Sequence, residues 1–263
     1  FLSSAGINFS DKIAETKFDL SLTYNNQAKS NLGPLIADAD KYYVEKSGFE
    51  VDFTMVAAGT IREKLVKGNS GILTVADAFR VMSLGEGKDD IPGYPLAKIY
   101  ISAKELKKLC EVIIVSRTSS EDSYLFTSGL KIYSNPKKMM LRKVQKVELN
   151  GKEIDVSKKN KQLYSLTANG YMLSFIGRVK KMTYGLVEII PKDKNGNTVT
   201  DMTKQYIDID IEKNELSRIL TDIGLEVEGV EDYVSVKGGL EGLIIGEVKT
   251  CEKHPNADKL TLT

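Results

Sequence analysis

Between Leu96 and Ile114 the chain writes a strand, a helix cap and a helix in immediate succession, and that order restricts the fold more than any other stretch. LAKIYI (96–101) reads as a buried strand. Ser102 and Glu105 then stand at capping-box spacing, the serine placed to receive a first-turn amide and the glutamate to reach back. Leu106, Leu109, Cys110, Ile113 and Ile114 follow as one apolar stripe of helical period, which makes Cys110 a core residue rather than a nucleophile. A strand that feeds straight into an amphipathic helix favours helices layered on a sheet over a sandwich or a bundle.

The same alternation recurs along the first 200 residues. Leu32, Leu35, Ile36 and Ala39 lie at helical spacing behind Ser30 as N-cap, so the spacing predicts a helix over 31–47 ending at Gly48. VDFTMVA (51–57) follows as a strand, and Thr74 with Asp77 opens a short helix through a second capping box. KVQKVEL before Asn150-Gly151, with a partner strand from Lys152, is a hairpin signal. The basic run 137–146 lacks interleaved aromatics and reads as a solvated strand face whose lysines discourage edge pairing. The fold class expected is α/β (α+β), a mixed sheet with packed helices.

Charge divides the 263-residue chain. Residues 201–263 carry 7 basic and 14 acidic side chains and residues 1–200 carry the other 30 and 22, giving −7 and +8. The sign reverses at PKDKNGNTVTD (191–201), a stretch rich in turn formers, so a boundary is expected near Asp201, with domains 1–200 and 201–263. In the second, YIDIDI reads as a strand. Leu216, Ile219, Leu220 and Ile223 stripe a helix that ends at Gly224, and LEVEGVEDY and GLIIGEVKTCE read as further strands.

The chain has one histidine, His254, and a di-metal phosphoesterase centre is ordinarily built from several imidazoles and carboxylates. No bound cofactor or metal is therefore expected in this chain. Its two cysteines lie too far apart for a metal knuckle, and Cys251 is taken as a packing residue. No apolar run approaches the roughly 20 residues of a membrane helix, so no membrane partner is expected. The opening, Phe1 onward, has neither the basic start nor the apolar stretch of a signal peptide, and the chain is expected to be cut from a longer one at both ends.

SNLGPLIADA (30–39), DFTMVAAGTIREKL (52–65), GILTVADAFRVMSLG (71–85), YISAKELKKLCE (100–111), YLFTSGLKIYSNP (124–136) and LYSLTANGYM (163–172) together resemble the C-terminal domain of the 5′-nucleotidase family over about residues 8–190. That resemblance implies a domain that grips a nucleotide or nucleoside, while divalent metals and the chemistry belong to an N-terminal metallophosphoesterase half. It implies Gly59 and Arg62 as ligand contacts, within a segment usually Asn-Gly-Gly-x-Ile-Arg, and Tyr171 as one face of an aromatic clamp on the base. The match is incomplete. Ala57 replaces the amide, Ser83-Leu84-Gly85 replaces a Pro-Phe-Gly turn, Ser174-Phe175-Ile176-Gly177 lacks the expected acid, and Asn26 falls near an expected arginine. Each lost contact is worth about 1–3 kcal/mol, so a depleted pocket is expected, with no catalysis by this chain alone.

Residues from about 204 to 263, with HPNADKL at 254–260 as their most specific motif, resemble the N-terminus of the bacterial phenylalanine–tRNA ligase β subunit. That resemblance implies a small α+β segment entering an OB-type barrel that binds tRNA, with His254, Asn256 and Lys259 as contacts. Two strands' worth of sequence follow Gly239 where such a barrel needs about five, so tRNA binding is expected only with a completed barrel. The net −7 also opposes stand-alone binding to a polyanion. The first family implies an exported location and the second a cytoplasmic one, and an artificially joined reading frame is expected. The alternative function is that of a ligase β-subunit fragment.

Overall fold

The computed structural model describes residues 8–23, 26–86, 93–119, 122–207, 252–253 and 261–262. The chain divides into two compact units, Phe1–Asp210 and Ile211–Thr263, each considered by itself.

The first unit opens with β1 (Lys12–Glu15), α1 (Leu32–Lys46), β2 (Phe53–Ala57), β3 (Ile72–Thr74) and α2 (Val75–Val81). It continues through β4 (Leu96–Ser102), α3 (Ala103–Ser119), β5 (Leu125–Ser128), β6 (Leu130–Ser134), β7 (Val144–Leu149), β8 (Lys152–Glu153), β9 (Leu163–Asn169) and α4 (Gly170–Met182). Four strands form the central mixed sheet in the order β4-β9-β2-β5. β2 and β9 run parallel, while β4 and β5 lie antiparallel on the outer sides. The sheet has helices packed on it, the α+β arrangement that the strand–cap–helix order predicts.

The pleat sorts the core. Phe53 and Met55 join Ile99, Leu166, Leu106, Leu109 and Ile113 in one cluster, with β7 residues Val147 and Leu149 closing it. Val56 belongs to a second cluster with Leu32, Ala37, Val81 and Phe126. Thr54 points the same way as Val56 and donates to Ala37 O at 2.7 Å, fixing α1 to β2. Each large apolar side chain fully buried here contributes about 1.5–3 kcal/mol. Cys110 is fully buried, and burial pushes its thiol up to about 12, as suits a packing residue.

Both capping boxes form. Thr74 and Asp77 exchange bonds at the start of α2, and Ser102 and Glu105 do so at the start of α3. Glu105 takes on more: Lys192 Nζ lies 2.6 Å from Oε2 and Ile190 N donates to Oε1 at 3.0 Å. Burial alone would raise this carboxyl, but the Lys192, Ser102 and Ile190 bonds outweigh it and hold Glu105 below its usual range. The hairpin turns at Asn150 (φ +47°) and Gly151 (φ +78°), both left-handed as a two-residue turn requires.

Three expectations need correction. Ser30 does not cap α1; its hydroxyl accepts from Thr23 N and donates to Gln27 Oε1. Asn31 precedes the helix, with its side chain bonded to Ser21 N and Asp19 O instead of the helix amides. The inward face of α1 carries Leu32, Gly33, Ile36, Ala37, Asp40 and Val44, while Leu35 and Ala39 are exposed. Gly33 is required because a Cβ there would stand 2.2 Å from the Phe126 ring. Lastly, residues 137–143 form the β6–β7 turn and not a strand face, and only Val144 onward pairs. The carboxylate of Glu111 on α3 receives the Lys143 and Val144 amides there.

The first unit also extends past the expected boundary near Asp201. Met202 and Tyr206 pack against the main core, and Ile207 N donates to Leu96 O at 2.8 Å, so the edge of β4 draws these residues in. In the second unit β10 (Glu252–Lys253) and β11 (Thr261–Leu262) pair antiparallel. The strands and helix expected over 208–251, and the remainder of the OB-type barrel, lie outside the described residues. Among the described residues no helix is long and apolar enough to cross a membrane.

Candidate functional site

Because β2 and β9 are parallel, their C-terminal ends share one edge of the sheet, and the antiparallel β4 begins there, Leu96 opposite Asn169. Loops leaving such an edge are where open sheets with parallel strands gather their ligands. Ala58–Thr60 follows β2 as a helical turn, and α4 follows β9 without a break. Asn169 caps α4, its Oδ1 accepting from Met172 N at 2.8 Å, which sets Tyr171 in the first turn. The Ala57 amide donates to Met172 Sδ at 3.0 Å, tying the end of β2 to the first turn of α4.

A cavity of about 160 Å³ opens at this edge. Its polar lining comes from Asp40 on α1, Thr60 after β2 and Asn169 at the end of β9. Met82, Leu84 and Leu96 supply apolar wall, and Tyr94 closes one side. Thr60 Oγ1 donates to Ala57 O at 2.7 Å, so its remaining capacity toward the cavity is as an acceptor. Asp40 has no hydrogen-bond or ion-pair partner among the described residues, and burial raises its carboxyl to about 7.

Tyr94 stacks on Tyr171, the ring centroids 5.1 Å apart and the planes inclined by 16°. Gly85 backs the Tyr94 ring so closely that a Cβ would lie 2.2 Å away, and its φ of +87° also suits glycine alone. The Ser83-Leu84-Gly85 turn thus lacks an aromatic of its own, yet one arrives from the segment leading into β4. Sequence reasoning missed Tyr94 because nothing local links it to Tyr171. It missed Asp40 because a carboxylate on the inward face of a helix contradicts the apolar pattern.

The other residues singled out from sequence are placed as follows. Gly59 faces the backbone of Asp122, to which its amide donates at 3.0 Å, and a Cβ there would meet Asp122 at 3.1 Å. Arg62 is exposed; its Nη1 donates to Gly59 O at 3.4 Å, and it lines a separate cavity of about 140 Å³ with Ser21, Leu22 and Lys64. Arg62 and Tyr171 therefore leave the same sheet edge, but Arg62 turns into a different concavity from the one Tyr94 borders. His254, Asn256 and Lys259 lie outside the described residues, between β10 and β11. Among the described residues no three His, Cys, Asp or Glu side chains gather in a way that could hold a metal ion.

Two kinds of relative match the chain. The phenylalanine–tRNA ligase β subunit of Bacteroides thetaiotaomicron is 55% identical over 60 residues, 23% of this chain and 7% of that protein. The corresponding subunit of Porphyromonas gingivalis is 48% identical over 59 residues, 22% of this chain and again 7% of that protein. The chain thus spans a small fraction of the length of these relatives. Among solved structures, a 5′-nucleotidase precursor from Thermus thermophilus aligns with a TM-score of 0.48 and 20% identity, over 77% of this chain and 38% of that one. The model of the family described as 5′-nucleotidase, C-terminal domain, matches residues 9–182, from the approach to β1 through to the end of α4. With two thirds of its length so matched, the chain belongs to the 5′-nucleotidase C-terminal domain family.

Proposed function

We propose that the first unit is a nucleotide-recognition domain of 5′-nucleotidase type with a depleted pocket, holding a nucleotide for a metallophosphoesterase half that carries out hydrolysis. The family match supports this reading, and the Tyr94–Tyr171 stack at the C-terminal edge of β2 and β9 is the observation that carries it. A base needs an aromatic face, and Tyr171 has one, but Tyr94 covers it. Gly85 leaves Tyr94 no room to retreat, so a nucleotide must displace Tyr94 rather than slide between the rings. Arg62, exposed and held only by a long bond to Gly59, is available to an anionic oxygen.

Titration of the full chain with AMP, followed by tyrosine fluorescence, tests this. Weak saturable binding that Tyr171→Ala or Arg62→Ala abolishes is expected. Binding of unaltered strength in both variants, or phosphate release from AMP traced to residues of this chain, would overturn it.

The second unit is proposed to be a fragment of a ligase β subunit in a joined reading frame, supported by 55% identity over 60 residues. With its barrel completed, it predicts salt-sensitive tRNA binding that Lys259→Ala weakens. Genomic reads running unbroken across Thr200 to Tyr206 would refute the joined frame.

A further inference from the structure

Asp40 has no counter-ion among the described residues. It sits on the inward face of α1, borders the cavity of about 160 Å³, and has no hydrogen-bond or ion-pair partner among the described residues. Lys41, the next residue along α1, is paired with Glu45. An uncompensated carboxylate in a partly desolvated place is costly, and proteins ordinarily neutralise one by pairing it.

Thr60 in the lining suits a cation as well. Thr60 has spent its proton on Ala57 O and faces the cavity as an acceptor. Asn169 Oδ1 is engaged with Met172 N, which leaves the amide group oriented by the α4 cap. The remaining wall is apolar or aromatic: Met82, Leu84, Leu96 and the Tyr94 ring. A compact, strongly hydrated ammonium gains little from such walls. A planar delocalised cation loses less water on entry, lies against an aromatic ring, and presents paired N–H donors to the two oxygens of a carboxylate.

We propose that this cavity is a binding site for a small amidinium- or guanidinium-type group, held by a two-point hydrogen-bonded pair with Asp40 and flanked by Thr60 and Tyr94. The site shares Tyr94 with the nucleotide reading but requires neither Arg62 nor Tyr171. Burial raises the Asp40 carboxyl to about 7, and Tyr94 is the other titratable side chain of the lining, so the titration is run at about pH 8.5, where the carboxylate is ionised.

The test uses the full chain and two isosteres, acetamidinium and acetamide, at about pH 8.5 and matched ionic strength, followed by amide NMR shifts at Thr60 and Asn169. Saturable binding of acetamidinium and none of acetamide is expected, with affinity lowered roughly tenfold or more in Asp40→Asn. Equal response to the two probes in the unaltered chain, no response to acetamidinium, or undiminished binding in a folded Asp40→Asn variant would each overturn the proposal. The isostere comparison stands even if that variant does not fold. The probes are titrated in the absence of AMP, so these outcomes do not depend on whether a nucleotide binds, and a failure here is distinguishable from a failure of the nucleotide reading.

Discussion

Replacing Asp40 by asparagine should make the protein more stable in base and leave it unchanged in acid. Burial raises this carboxyl from 3.8 to about 7, so the native state holds its proton over a pH range in which the unfolded chain has released it. Stability therefore falls as pH rises from about 4 through about 7, and the full cost is present above that. At about 1.4 kcal/mol for each tenfold in proton affinity, the rise amounts to about 4 kcal/mol at most. Asparagine has nearly the same shape and nothing to ionise, so the variant escapes this cost. Urea denaturation of both proteins from pH 4 to pH 8.5, followed by circular dichroism, gives the difference at each pH. Carboxylates elsewhere titrate in both proteins and cancel. The gap should be near zero at pH 4, open through neutrality and level off above it. A gap independent of pH, or a variant less stable than the parent at pH 8.5, would show that a neighbour already compensates Asp40 and would refute the reasoning.

Tyr94→Ala should tighten AMP binding by up to roughly tenfold, since it uncovers the face of Tyr171 that the stack occupies; isothermal titration that finds weaker binding would mean the base uses both rings. Gly33→Ala drives a methyl group into the Phe126 ring and should cost about 1–3 kcal/mol in urea denaturation, with Phe126→Leu restoring part of the loss. Glu105→Gln keeps the Ser102 hydroxyl bonded but leaves Lys192 without its carboxylate, with only the Ile190 carbonyl still accepting from it, so the variant should lose about 1–3 kcal/mol at pH 7. Because the Glu105 pKa is depressed, the native carboxylate's advantage is present above the ordinary value of 4.5 and disappears as pH falls through the lower folded value, so parent and variant should converge in acid.

The parts of the fold that could be read from sequence are those whose causes lie within a few residues. Ser102 finds Glu105 and Thr74 finds Asp77 inside one helical turn, and Asn150-Gly151 makes its hairpin turn with no outside help. The start of α1 defeats the same reasoning because its partners are distant: Ser30 answers to Thr23, and Asn31 to Asp19 and Ser21. Leu35 was placed inward by spacing, but Phe126 on β5 presses against Gly33 and decides which face is buried. For the site, residues after β2 and β9 were legible as candidates, whereas their common edge depends on a parallel pairing of Phe53 with Leu166 that no local pattern announces. Tyr94 and Asp40 become visible only after that edge is assembled.

The way residues 202–207 lie on the first unit has a practical consequence. Ile207 continues the hydrogen bonding of Leu96, and the Tyr206 ring fits so tightly against Gly170 that a Cβ on the glycine would come within 2.9 Å of it. The resemblance read from sequence changes at about residue 204, yet the first compact unit continues to Asp210. A version of the first unit trimmed at Thr200 would leave the outer edge of β4 unpaired at its Leu96–Ala97 end and an apolar hollow beside α4, inviting self-association, whereas one carried to Ile207 keeps that end sealed.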